Sequence, residues 1–68
     1  MKDNEKVKFT KRDRVLRAWE NSMELVRDFE KYSKEIENDN QLSEMFDKFA
    51  EDEAIHAAEF RKVLHQYQ

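Results

Sequence analysis

The chain has 68 residues, of which 43% are charged and 38% hydrophobic, and it contains no glycine, proline or cysteine. A chain this short forms one domain at most; this composition argues against a sheet and excludes disulfides, thiolate metal sites and a thiol nucleophile. The net charge of -3 is mild, and no uncharged stretch approaches the length of a membrane span, so we expect a cytoplasmic protein without a membrane segment.

The N-terminal segment differs in charge from the rest of the chain. The first fourteen residues hold six Lys or Arg against three Asp or Glu, whereas the remainder is acidic. A basic arm can bind nucleic acid, but the only aromatic residue in this segment is Phe9. We therefore expect residues 1–9 to be a flexible basic lead-in to a helical domain over residues 10–68, and we do not expect a nucleic-acid partner.

The first helix is predicted over about residues 10–37, with Thr10 as a candidate cap at its start. Apolar residues recur there at steps of three and four, which is the spacing of an amphipathic helix. These residues are Val15, Leu16, Trp19, Met23, Val26, Phe29, Tyr32 and Ile36.

The second helix is predicted over about residues 41–67, after the only cluster of turn-forming residues in the chain, Asn38 to Asn40. Helical spacing is again kept by Leu42, Met45, Phe46, Phe49, Ala50, Ala57, Phe60, Val63, Leu64 and Tyr67. A short connection makes two long helices antiparallel neighbours. Two helices alone cannot bury their apolar faces. The predicted fold is thus all-α: an antiparallel two-helix hairpin that self-associates into a four-helix bundle, as a homodimer or a higher homo-oligomer.

Two ionisable residues interrupt the apolar face of the second helix. At about 100 degrees per residue from Leu42, Glu53 falls at about +20 degrees and His56 at about -40 degrees, whereas His65 falls near 140 degrees, on the surface. A carboxylate and an imidazole three residues apart can reach one metal ion together. Alternatively, the two side chains form a buried structural pair that fixes the register of the helices.

The stretch Glu44-Met-Phe-Asp-Lys-Phe-Ala-Glu-Asp-Glu-Ala-Ile-His-Ala57 resembles the second helix of rubrerythrins and encapsulated ferritins, in the ferritin-like superfamily. The resemblance spans about residues 15–65, and its specific part is the Glu-x-x-His-Ala motif. It implies that Glu53 and His56 are ligands of a di-iron site, which two copies of this half-bundle would complete. It also implies iron oxidation or the detoxification of peroxide or oxygen.

A third ligand is expected from the first helix. The spacing that rubrerythrins keep before their motif points to Glu20, whereas alignment with encapsulated ferritins places Ser22 or Met23 at that position. Glu24 and Glu30 remain alternatives. A competing hypothesis is a non-catalytic interaction module, in which a hairpin oligomer presents charged outer faces to a partner.

Overall fold

The computed structural model describes residues 9–67, and these form two helices and no strand. Helix α1 is Lys11–Glu35 and helix α2 is Asn40–His65. The two helices contact each other and run antiparallel, which confirms the predicted all-helical hairpin. Apart from Phe9, the basic segment predicted over residues 1–9 lies outside the described residues.

Helix α1 begins with a reciprocal cap. The Thr10 side chain accepts a hydrogen bond from the Asp13 backbone N–H, and the Asp13 carboxylate accepts one from the Thr10 backbone N–H, each at 3.0 Å. This capping box satisfies two backbone donors that a helix N-terminus leaves without partners. The hydrogen bonds from Thr10 are the main reason that the pKa of Asp13 lies below its ordinary value. Phe9 precedes the cap, and the centre of its ring lies 4.4 Å from the guanidinium of Arg14.

The turn between the helices uses the residues that the sequence supplies for it. Helix α1 ends as the Ile36 N–H donates to the carbonyl of Tyr32, and Asn38 takes a positive φ of 63°. Asn tolerates this left-handed conformation better than most residues. The Asp39 carboxylate then accepts a hydrogen bond from the Leu42 N–H at 3.0 Å and caps α2.

Small residues line the seam where the two helices meet. Of residues 9–67, only Ser22, Ala50, Ala57 and Leu64 are buried. The three on α2 are spaced by seven residues, so they fall on one line along that helix. Because Ser22, Ala50 and Ala57 have short side chains, the helix backbones can approach closely along this line.

Near the turn, polar and aromatic contacts fix how the helices align. Ser33 and Ser43 each donate a hydroxyl hydrogen bond to the other's backbone carbonyl, at 2.8 and 2.7 Å. Phe46 packs against Phe29 and Tyr32, with ring centroids 5.7 and 5.5 Å apart. A shift of one helix along the other would break both sets of contacts, so they set the register of the hairpin.

The hairpin leaves much apolar surface in solvent. Its larger apolar side chains are only partly covered: Phe49 is 40% exposed and Tyr67 is 43% exposed. Within the hairpin these two are not core residues, because Ala50, Ala57 and Leu64 occupy the side of α2 that contacts α1. Neither described helix is both apolar enough and long enough to cross a bilayer.

Candidate functional site

The candidate site is the pair that interrupts the apolar face of α2. Glu53 and His56 are one turn apart on the helix, and the Oε1 atom of Glu53 lies 3.5 Å from Nδ1 of His56. A separation of three residues places two side chains on the same side of a helix. The structure therefore places the two side chains together on one side of α2.

The two side chains differ in their exposure to solvent. That of Glu53 is 22% exposed, whereas that of His56 is 58% exposed. Ala50 and Ala57 lie on the seam, which is displaced around α2 from the direction of Leu42. The large apolar residues of the helix centre on that direction. Glu53 therefore lies at the edge of the seam, and His56 lies farther around the helix, on a face that α1 does not cover.

Apolar residues surround this pair along α2. Here the α2 stripe denotes Leu42, Phe46, Phe49, Phe60, Val63 and Tyr67, which flank Glu53 and His56 on both sides. Of these, Leu42, Phe49 and Tyr67 are at least a third exposed, and the others are half-buried. A contiguous exposed apolar surface is typical of an interface with a partner.

Two further acidic residues lie next to the pair in the sequence. Glu51 and Asp52 directly precede Glu53 in the sequence. Asp52 forms an exposed ion pair with Lys48, at 3.7 Å. Local negative charge of this kind attracts cations to the region, although salt screens the attraction between exposed groups.

The structure does not bring the predicted third ligand to this pair. Glu20 is exposed on α1, as are the alternatives Glu24 and Glu30. Glu20 borders a surface hollow of about 420 Å³ whose other lining residues are Phe9, Asp13, Arg14, Leu16 and Arg17. Within residues 9–67 of one chain, no three acidic or histidine side chains come close enough to hold a metal ion.

The donor set fits a metal only when more than one chain contributes. One carboxylate and one imidazole are ligands that suit iron, zinc and similar ions. The Glu53 contact uses Nδ1, and Nε2 is the second nitrogen with which an imidazole can bind metal. A single chain supplies two ligands, whereas two chains supply two carboxylates and two imidazoles.

Sequence reasoning missed the small-residue seam. Ser22, Ser33 and Ser43 were not assigned to the contact between the helices, although Ser43, Ala50 and Ala57 share one seven-residue spacing. That spacing of small residues was the available signal. By contrast, the expectation that His65 lies on the surface is confirmed.

The second hollow of the hairpin lies beside the seam and away from the pair. It is a groove of about 260 Å³ with a largely apolar lining: Trp19, Met23, Val26, Ala54, Ala57, Ala58 and Arg61. Neither Glu53 nor His56 borders it.

Comparison with known proteins leaves the ferritin-like resemblance as a sequence-based expectation. No family model matches the chain, and no curated protein or solved structure matches it.

Proposed function

We propose that this chain is the subunit of a ferritin-like homo-oligomeric bundle that binds iron at Glu53 and His56. Its function would be the oxidation of iron or the detoxification of peroxide or oxygen. The observation that carries the proposal is the Glu53–His56 pair, which lies at the centre of an exposed apolar stripe. The Glu-x-x-His-Ala resemblance gives the choice of iron.

Self-association would support such a site in two ways: it would cover the α2 stripe, and it would supply further ligands. The described hairpin has no buried side chain larger than Leu64, so its stability depends on covering the α2 stripe. The same contact would bring a second Glu53 and a second His56 to the pair. Burial would also remove water from ionisable groups, which is costly unless each finds a partner.

Each residue has a distinct task in such a site. The Glu53 carboxylate contributes negative charge that offsets a cation, and the His56 imidazole contributes a neutral nitrogen ligand. Bound iron would supply one-electron chemistry towards oxygen or peroxide. The surrounding Phe49 and Phe60 side chains would limit access of water to the ligands.

Glu20 is the weakest member of the proposed ligand set. Within residues 9–67 of one chain no third ligand joins the pair, so Glu20 would have to reach the site from another subunit. We therefore expect Glu20→Ala to retain more metal than Glu53→Ala. Equal loss of iron in the two variants, measured by elemental analysis, would show that Glu20 contributes as much to iron binding as Glu53 does.

The test of the function uses the two histidines of α2, both of which are exposed in the hairpin. Protein loaded anaerobically with ferrous iron and then desalted should retain stoichiometric iron. His56→Ala should lose most of that iron, and the matched control His65→Ala should keep it. Added iron should raise the melting temperature of the wild type and of His65→Ala, but not of His56→Ala.

Absence of stoichiometric iron in the wild type would overturn the metal proposal. It would favour the alternative, an interaction module in which Glu53 and His56 pair only with each other or with a second copy. The existing 3.5 Å contact between them supports this alternative, because it already gives each side chain a partner.

A further inference from the structure

The α2 stripe has a symmetry that its residue spacings reveal. Leu42, Phe46 and Phe49 precede Glu53 by eleven, seven and four residues. The same three intervals separate His56 from the stripe residues that follow it, in the order Tyr67, Val63 and Phe60. The midpoint of this pattern lies between Glu53 and His56, close to the middle of α2.

A helix with such a pattern is complementary to a second copy of itself in the opposite direction. A two-fold axis at the midpoint places residues at equal distances from it at the same level on the two helices. Leu42 then lies level with Tyr67 of the second copy, and Phe49 with Phe60. At the centre, each Glu53 meets the other copy's His56.

We propose that two copies associate through their α2 stripes in antiparallel orientation, with the two-fold axis between Glu53 and His56. The proposal rests on the self-association inferred above and adds the orientation and register of the partner. Each chain would contribute one half of a shared Glu–His cluster. The turn of one hairpin would then lie beside the open end of the other.

The ionisable pair selects this register over its neighbours. A shift by seven residues would keep one of the three apolar pairings, Phe49 with Tyr67 or Leu42 with Phe60, because the stripe repeats with that period. It would, however, move Glu53 opposite Phe49 or Val63, and His56 opposite Phe46 or Phe60. Burial of an ionisable side chain against an apolar one costs far more than burial against a side chain with which it can pair.

The distribution of charge selects the antiparallel orientation. The open end of the hairpin, residues 9–20 and 56–67, holds six Lys or Arg against three Asp or Glu. The part nearer the turn, residues 21–55, holds eleven Asp or Glu against four Lys or Arg. Antiparallel copies place the basic end of each beside the acidic end of the other, whereas parallel copies place like charges together.

Distances between spin labels distinguish these arrangements. The chain contains no cysteine, so Gln41→Cys and Gln66→Cys, both exposed and outside the stripe, provide single labelling sites near the two ends of α2. The metal-free protein, kept in chelator, is measured by pulsed dipolar spectroscopy. At about 1.5 Å per residue, two Gln41 labels should be about 40 Å apart and two Gln66 labels about 35 Å apart.

A mixed sample of the two labelled proteins, refolded together, should add a distance below about 20 Å. A distance below about 20 Å between two Gln41 labels would mean parallel copies and overturn the proposal. A change of about 10 Å in the Gln41 distance would mean a seven-residue slip and would also overturn it. A monomeric protein without dipolar coupling would do the same. Because no iron is present, these results are independent of the metal test.

Two substitutions with equal chemistry test the surface itself. Phe49→Asp places a charge in the stripe, whereas Ile55→Asp places one at a site that is 61% exposed and outside it. Sedimentation should show a monomer for Phe49→Asp and the wild-type oligomer for Ile55→Asp. Equal behaviour of the two variants would contradict the assignment of the stripe. If Phe49→Asp unfolds, the label distances decide, since they need no change in the stripe.

Discussion

At the scale of single residues, the start of α1 depends on the contacts between Thr10 and Asp13. Replacing Thr10 with Ala removes the side-chain acceptor for the Asp13 N–H. Loss of such an N-cap typically costs about 1 kcal/mol. Thr10→Ala should therefore lower the free energy of unfolding by about that amount in urea titrations monitored by circular dichroism. If Thr10→Ala lowers the free energy of unfolding no more than a substitution at an exposed position in the middle of a helix does, the cap contributes little.

The carboxylate of the same cap makes this contribution dependent on pH. Hydrogen bonds from Thr10 hold the pKa of Asp13 below its ordinary value. A lowered pKa in the folded state stabilises the fold above the pKa of the unfolded chain, about 3.9, and the effect is lost as pH falls through the folded value. The melting temperatures of the wild type and Asp13→Asn should differ at pH 7 and converge in more acidic solution.

The control for that titration is Asp47→Asn, which changes an exposed carboxylate on α2. Its melting temperature should follow that of the wild type more closely at pH 7. A difference between the wild type and Asp13→Asn that stays constant into acid would contradict the role of the charged cap.

At the scale of the helices, the seam depends on short side chains. Ala50 is 3% exposed and lies on the seam between the two helices. Ala50→Leu should force the helices apart and cost about 1–3 kcal/mol in the free energy of unfolding, the usual cost of overpacking. Ala58→Leu is the matched control, because Ala58 is exposed on the same helix. Equal stability of the two variants would show that the seam tolerates larger side chains.

The helices were more predictable than the way they pack. Apolar periodicity and the turn formers near Asn38 predicted two helices over about 10–37 and 41–67, and the structure has them at Lys11–Glu35 and Asn40–His65. The centre of the apolar face of the second helix was placed in the direction of Leu42, because large apolar residues lie close to that direction. The hairpin instead buries the smaller ones, since these let two backbones come closest.

This difference explains why the candidate site was only partly predictable. The approach of Glu53 to His56 follows from helical geometry alone, so a pattern within one helix was sufficient. Their exposure depends on which flank of α2 meets α1, and a wheel drawn for one helix does not contain that information. The position of Glu20 depends on both helices together, and the structure leaves it exposed on α1.

At the scale of the whole molecule, one hairpin has too small an interior to bury its own apolar side chains. Among residues 9–67 four side chains are buried, and Leu64 is the largest of them. The melting temperature should therefore rise with protein concentration, as expected when folding is linked to association. Scanning calorimetry of the wild type over a hundredfold concentration range measures this. A melting temperature that does not change would mean that the hairpin is stable alone.

The same reasoning predicts that the ionisable pair gives the assembly one register at some cost in stability. The double variant Glu53→Leu/His56→Leu should remain associated, with a higher melting temperature, because two apolar residues replace groups that must be desolvated. Its Gln41 label distances should spread over values about 10 Å apart, since slipped registers would no longer oppose a charge to an apolar residue. A single distance unchanged from the wild type would show that other contacts fix the register.

Native mass spectrometry of the iron-loaded protein tests the central claim most directly, because it reports the number of chains and of metal ions in the same species. We predict even-numbered oligomers that carry iron and monomers that carry none. His56→Ala should lose the iron, and His65→Ala should retain it. Oligomers without iron, or iron bound equally in the two variants, would contradict a shared metal site at Glu53 and His56.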